Sequence, residues 1–91
     1  MFYVWDELNE TRGDAKTWTT AGGVQEGADA TAVNTPWARE AALWRARLDH
    51  CGEAQGEDGF LYVVEDDTGK RWRFMVGVVE YVVVLNAIEV P

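Results

Sequence analysis

Apolar and polar residues alternate with a period of two near both ends of the chain, and a helical period occupies the middle. Phe2–Asp6, dominated by aromatic and β-branched residues, predicts a first strand. The polar stretch from Glu7 to Asp14 ends in the turn pair Gly13-Asp14, and Lys16–Thr20, with Trp18 among threonines, predicts a second strand. Together they read as a hairpin with a long loop. Ala21–Asn34 is punctuated by Gly22, Gly23 and Gly27 and reads as a loop, with a short extended piece at Thr31–Val33. Thr35-Pro36 has the form of an N-cap followed by a first-turn proline, so a helix is expected from Pro36 to about Cys51, with Gly52 ending it. Phe60–Glu65 predicts a third strand, Asp66-Asp67-Thr68-Gly69 a hairpin turn, and Lys70–Val76 the returning strand, broken at Gly77. Val78–Val90 reads as a final strand or bent strand pair, and its disturbed alternation near Asn86 predicts a bulge. The fold class is therefore α+β in the order β-β-α-β-β-β: one domain over residues 1–91, an antiparallel sheet packed against one amphipathic helix.

The same pattern assigns faces. Trp37, Ala41, Trp44, Leu48 and Cys51 fall in a helical stripe about 80° wide, which is expected to meet the sheet. Ala38 flanks that stripe, while Arg39, Leu43, Ala46 and His50 lie on the far side. Tyr62, Val64, Trp72, Phe74 and Val76 share one sheet face and form the expected core, with Val79, Tyr81, Val83 and Leu85 able to join them. Leu61, Val63, Met75, Val82 and Val84 point the other way, interleaved with Arg71, Arg73, Glu65 and Glu80. A solvated face should be polar, and one helix covers only one face. The second face is therefore expected to be covered by another chain or by the Ala21–Asn34 segment, unless the strand register differs by one residue.

Composition narrows the partners. Sixteen acidic against eight basic residues give a net charge of −8. That argues against direct contact with nucleic acid or an anionic membrane, both of which need a basic footprint. It favours a basic protein surface, or serves solubility alone. Five tryptophans, three tyrosines and three phenylalanines supply the bulk that so short a chain needs for a core. The single cysteine permits no intramolecular disulfide, and no basic-then-apolar leader opens the sequence, so the expectation is a cytoplasmic, reducing location. Asn9-Glu10-Thr11 and Arg12-Gly13-Asp14 match a glycosylation sequon and an integrin tripeptide, and in that setting both read as chance.

Candidate chemistry is sparse. His50 and Cys51 are adjacent on the expected helix, so their side chains diverge by about 100° and cannot form a dyad. One histidine and one cysteine fall short of a zinc site, and neither Asp6, Glu7 and Glu10 nor Glu65, Asp66 and Asp67 has the spacing of a calcium loop. Gly22-Gly23-x-x-x-Gly27 lacks the Lys-Ser/Thr of a phosphate cradle. No cofactor and no enzymatic activity are expected. Glu53, Glu57, Asp58, Glu65, Asp66 and Asp67 cluster at the two ends of one strand, about 20 Å apart, where a row of carboxylates can imitate a phosphate backbone.

From Trp37 to Glu89, the helix "WAREAALWRARLDH", the acidic link "GEAQGEDG" and the hairpin "YVVEDDTGKRWRFMV" resemble a pattern in small proteins of phages and mobile elements. In size and charge the chain is similar to phage-encoded anti-CRISPR inhibitors. That resemblance implies a class, an inhibitor occupying a partner's surface, and brings no functional residues with it. The expected function is thus a non-enzymatic acidic binding protein that docks on a basic, nucleic-acid-binding host protein. The alternative is a small oligomer-forming assembly accessory. The expected contacts are Glu57, Asp58, Glu65, Asp66 and Asp67 in the acidic loops, and Leu61, Val63, Met75 and Val82 on the second sheet face, the latter also suited to a homodimer.

Overall fold

A computed structural model describes residues 1–20, 22–27, 29–50, 60–78 and 82–90, and the side chains of 50, 78, 82–86 and 89 are outside that description. Five strands form one antiparallel sheet: β1 (Phe2–Asp6), β2 (Lys16–Trp18), β3 (Phe60–Glu65), β4 (Arg71–Val78) and β5 (Val82–Val90). Their spatial order is β2-β1-β3-β4-β5. Among the described residues a single helix, α1 (Ala30–His50), covers one face. The fold is α+β, with the element order the alternation predicts.

β1 pairs with β2 through a loop holding a short 3₁₀ turn at Arg12–Asp14, and pairs on its other side with β3, Val4 opposite Val64. The helix-facing row is the one expected from sequence: Phe2, Val4, Tyr62, Val64, Trp72, Phe74 and Val76 are all buried. Phe2 and Trp72 meet edge to face at 6.4 Å. The turn between β3 and β4 closes with Asp66 N–H donating to Lys70 O at 3.0 Å, and Gly69 takes the left-handed φ of 85° that a side chain would resist.

Two strand assignments change. β4 runs through Gly77 to Val78, because Gly77 keeps its place in the ladder opposite Val83. The expected bulge is present: Met75 faces Asn86 but Val76 faces Val84, so Leu85 is the extra residue. That inserted residue shifts the phase of β5. Val82 and Val84 pair with Val78 and Val76, in the rows of the core-facing positions, not in the row of Leu61 and Met75 where an uninterrupted alternation sets them. Glu80, Val79 and Tyr81 lie outside the described residues.

The helix differs more. It begins at Ala30, so the segment expected to be a loop to Asn34 contributes its first turns, and Pro36 sits inside it. The N–H that Pro36 lacks leaves the Ala32 carbonyl without its helical donor, but both residues are exposed, so water can serve that group. Thr35 Oγ1 meanwhile donates to Thr31 O at 3.0 Å. The buried face is also rotated, by roughly a quarter turn, from the expected stripe. Asn34, Ala38, Ala41, Ala42, Arg45 and Ala46 meet the sheet, and Leu43 is buried as well. Trp37 and Leu48 remain 42% and 53% exposed. Volume explains the choice. The sheet already presents phenylalanine, tyrosine and tryptophan, and alanines let the helix backbone approach that surface closely where tryptophans would hold the layers apart.

Candidate functional site

The acidic residues proposed for contact do not form one surface. Asp66 is buried, 2% exposed. Its carboxylate accepts from Thr68 N–H at 2.9 Å, Lys70 N–H at 3.0 Å and the Asn34 amide at 3.0 Å. It is the organising residue of the turn, and in this structure its carboxylate is spent within the chain. Glu65 sits between two arginines, accepting from Arg12 Nε at 2.7 Å and Arg71 Nε at 2.8 Å. Burial pushes its carboxyl upward, but the hydrogen bonds from Arg12 and Arg71 outweigh that and hold it below the usual carboxylate range. Asp67 is exposed and accepts from the Met1 amino group at 2.7 Å. A shallow cavity of about 330 Å³ beside them is lined by Glu65, Gly69, Lys70, Arg71 and Val90. Glu57 and Asp58 lie outside the described residues. A carboxylate row along this strand is therefore not assembled by its described members.

Asp6, Glu7 and Glu10 are equally dispersed. Asp6 caps the following turn through Leu8 and Asn9, Glu7 pairs with Arg73, and Glu10 reaches Arg45. Among the described residues no cluster of three or more histidines, cysteines or acids could hold a metal. The His50 side chain and Cys51 lie outside the described ones.

The second sheet face is covered by neither the Ala21–Asn34 segment nor bare apolar residues. Val24 packs on the helix side of the sheet, and Gln25 exchanges hydrogen bonds with Asn34 of α1. On the outer face a layer of the chain's own arginines lies across the aromatics. Arg12 stacks 3.8 Å from the centroid of Tyr3 and Arg71 lies 5.4 Å from that of Trp5, with Glu65 bridging the two guanidinium groups. Trp5 and Val63 are buried beneath this layer, and Leu61 is half-buried. Among the described residues, only Met75, 38% exposed, and its neighbour Ile88, 50% exposed, show substantial apolar area near the β5 edge.

A buried ionic network joins helix and sheet. Arg45, 3% exposed, donates to Asp49 at 2.9 Å, to Glu10 at 2.8 Å and to the Val4 carbonyl at 2.8 Å. Burial disfavours its charge, and the two carboxylates more than restore it. Tyr62 donates its hydroxyl to Asp49 at 2.8 Å, and burial together with that bond raises its pKa. Each of these polar groups is engaged by another, which fits a fastening between layers.

The expected helix stripe is only partly turned to the sheet: Ala41 is buried and Trp44 packs against the core, whereas Trp37 and Leu48 face away from it. Val33, Trp37 and Leu48 are 45%, 42% and 53% exposed, and Trp44 beside them is half-buried, packing one side against the core. At about 100° per residue the four fall within roughly 60° of arc. Trp18 of the edge strand β2 abuts one end, its ring 6.5 Å from Trp37. The result is an aromatic ridge along the helix, in view of solvent. The signal that could have found it is the alanine series 38, 41, 42, 46, which supplies a complete alternative face.

Compared with protein-family models, curated proteins and solved structures, the chain matches none. Among the described residues no helix is long and apolar enough to cross a membrane.

Proposed function

We propose that this protein is a non-enzymatic binding protein that acts by occupying the surface of another protein, and that the ridge of Trp37, Trp44, Leu48 and Val33 is its contact. The observation that carries the reading is the exposure of two large side chains, Trp37 and Leu48, about three turns apart on the same side of one helix, with half-buried Trp44 between them. A contiguous apolar strip of this kind marks an interaction surface more often than does scattered exposure. Tryptophan is also the residue most enriched among energetically dominant contacts. Net charge sets the sign of the partner: Glu26, Asp29 and Glu40 make no ion pair with another described residue, and the chain carries −8. A basic, nucleic-acid-binding protein blocked in the manner of a phage inhibitor fits both properties.

The test compares tagged wild type with Leu48→Lys and Trp37→Ser for retention of basic nucleic-acid-binding proteins, and asks whether added duplex competes. Retention lost in both variants and relieved by duplex supports the reading. Retention undiminished in both variants removes the ridge as the contact. A second reading, a small oligomer-forming accessory, is favoured by the spacing of the ridge itself.

A further inference from the structure

The ridge residues stand at 33, 37, 44 and 48, separated by four, seven and four positions, so the pattern reads the same in both directions along α1. An isologous interface requires this property, since residue i of one copy must meet j of the other while j meets i. Laid antiparallel about a two-fold axis midway between Glu40 and Ala41, two copies bring Trp37 against Trp44 and Val33 against Leu48, twice over. We infer that, in the free protein, this ridge is occupied by a second copy of the chain, in a two-fold antiparallel helix pair. The inference rests on the reading of the ridge as the contact surface and names its occupant.

Charge along the outer flank agrees. Arg47 is exposed and makes no ion pair with another described residue, and the same holds for Asp29 and Glu40. Asp29 immediately precedes α1, and the antiparallel arrangement sets Arg47 of one copy within about 8 Å, along the axis, of Asp29 of the other. A parallel pair would instead align like with like. The same arrangement brings the two Glu40 side chains close to the axis, a repulsion that limits affinity. Area limits it too. The exposed parts of the four ridge residues amount to on the order of 300–400 Å² per chain, against about 800 Å² per partner in a standard interface. The pair is therefore weak and concentration-dependent, able to yield the ridge to a tighter partner.

Orientation and register are tested by cysteine pairing in a Cys51→Ser background. Val33→Cys and Leu48→Cys both replace half-exposed residues. Mixed at equal concentration under mild oxidation, the two proteins should give a disulfide-linked heterodimer. Each alone should give almost none, because its own cysteines stand roughly 22 Å apart across the two-fold, far beyond the ~7 Å that a disulfide spans. In sedimentation equilibrium with the native cysteine retained, Leu48→Lys should weaken association about tenfold or more, whereas Glu40→Gln should tighten it severalfold. Efficient cross-linking of either single variant overturns the antiparallel register. A wild type that stays monomeric at millimolar concentration overturns the dimer. If the dimer fails while the ridge variants still lose a basic partner, the binding reading stands without it; if the ridge variants lose neither, both readings fall.

Discussion

Asn34, inside the helix, donates its side-chain amide to the carboxylate of Asp66 in the turn between β3 and β4, at 3.0 Å. Both residues are buried, at 0% and 2% exposure. The same amide group donates to the Gln25 carbonyl and its oxygen accepts from Gln25 N–H, each at 3.2 Å, so one side chain ties the glycine-rich segment, the helix and the hairpin together. Removing it leaves buried polar groups with fewer partners. Asn34→Ala is expected to lower stability by about 1–3 kcal/mol, read as a shift in the urea midpoint with unchanged m. In a double-mutant cycle Asn34→Ala and Asp66→Ala should fall short of additivity, and full additivity would show the two side chains to be uncoupled.

The rotated helix face makes opposite predictions for alanines and tryptophans. Ala42 is wholly buried against the sheet, so Ala42→Leu should overpack the layer and destabilise by about 1–3 kcal/mol. Trp37→Ser removes a ring that is 42% exposed and should change stability far less than deletion of a buried aromatic, which is worth about 3–5 kcal/mol. Thermal or urea midpoints of the two variants decide it. A neutral Ala42→Leu with a severely destabilised Trp37→Ser would place Trp37 in the core.

Where the sheet was legible, two independent signals agreed. Tyr62, Val64, Trp72, Phe74 and Val76 alternate cleanly on either side of the Asp-Gly turn, and they are the buried row. The helix offered two stripes and only one of them was heavy with apolar mass. A hydrophobicity count prefers Trp37, Trp44 and Leu48, because it weighs area and takes no account of how far apart the layers must stand. The sheet's bulk decides that distance, and it is set by residues of other elements, such as Phe2, Tyr62, Trp72 and Phe74, that no helical window includes. Ala30–Asn34 were unreadable as helix because the strong Thr35-Pro36 start signal competes with them. On the outer face, Arg71 and Arg73 read as rim residues. That Arg12 and Arg71 reach across Tyr3 and Trp5 depends on β1 lying beside β3, a pairing that no local pattern reveals.

The Tyr62 hydroxyl gives an alkaline signature. Burial, and then the hydrogen bond to Asp49, raise its pKa above the ordinary 10.0, so the folded state favours the neutral phenol. Its contribution is fully present below the unfolded pKa and is lost as pH rises beyond about 10. Wild type should therefore lose stability above that pH more steeply than Tyr62→Phe does. At pH 7 the variant should be less stable by about 1 kcal/mol through loss of the bond to Asp49. The difference between the two urea-midpoint profiles isolates this group from Tyr3 and the lysines; parallel profiles would show that Tyr62 titrates normally.

The acid limb is assigned to the arginine layer on the outer face. Glu65 is held below the usual carboxylate range because Arg12 and Arg71 favour its charged form against the opposing effect of burial. A depressed folded pKa stabilises above the unfolded value, near 4.3, and that stabilisation disappears as pH falls through the folded pKa. Glu65→Gln should lower the urea midpoint at neutral pH and flatten its decline below about pH 4. The arginines also shield rings. Replacing Arg12 and Arg71 together with serine removes both cation–π contacts, each worth about 0.5–1 kcal/mol at exposed sites, and opens Tyr3 and Trp5 to water. The double variant should remain folded by far-ultraviolet circular dichroism and bind an apolar fluorescent dye that wild type does not. It should also self-associate in a manner that Leu48→Lys leaves untouched, because the newly bared patch lies on the sheet face opposite the helix. If the double variant binds no dye, some other group covers Trp5, and the guanidinium layer is incidental to its burial.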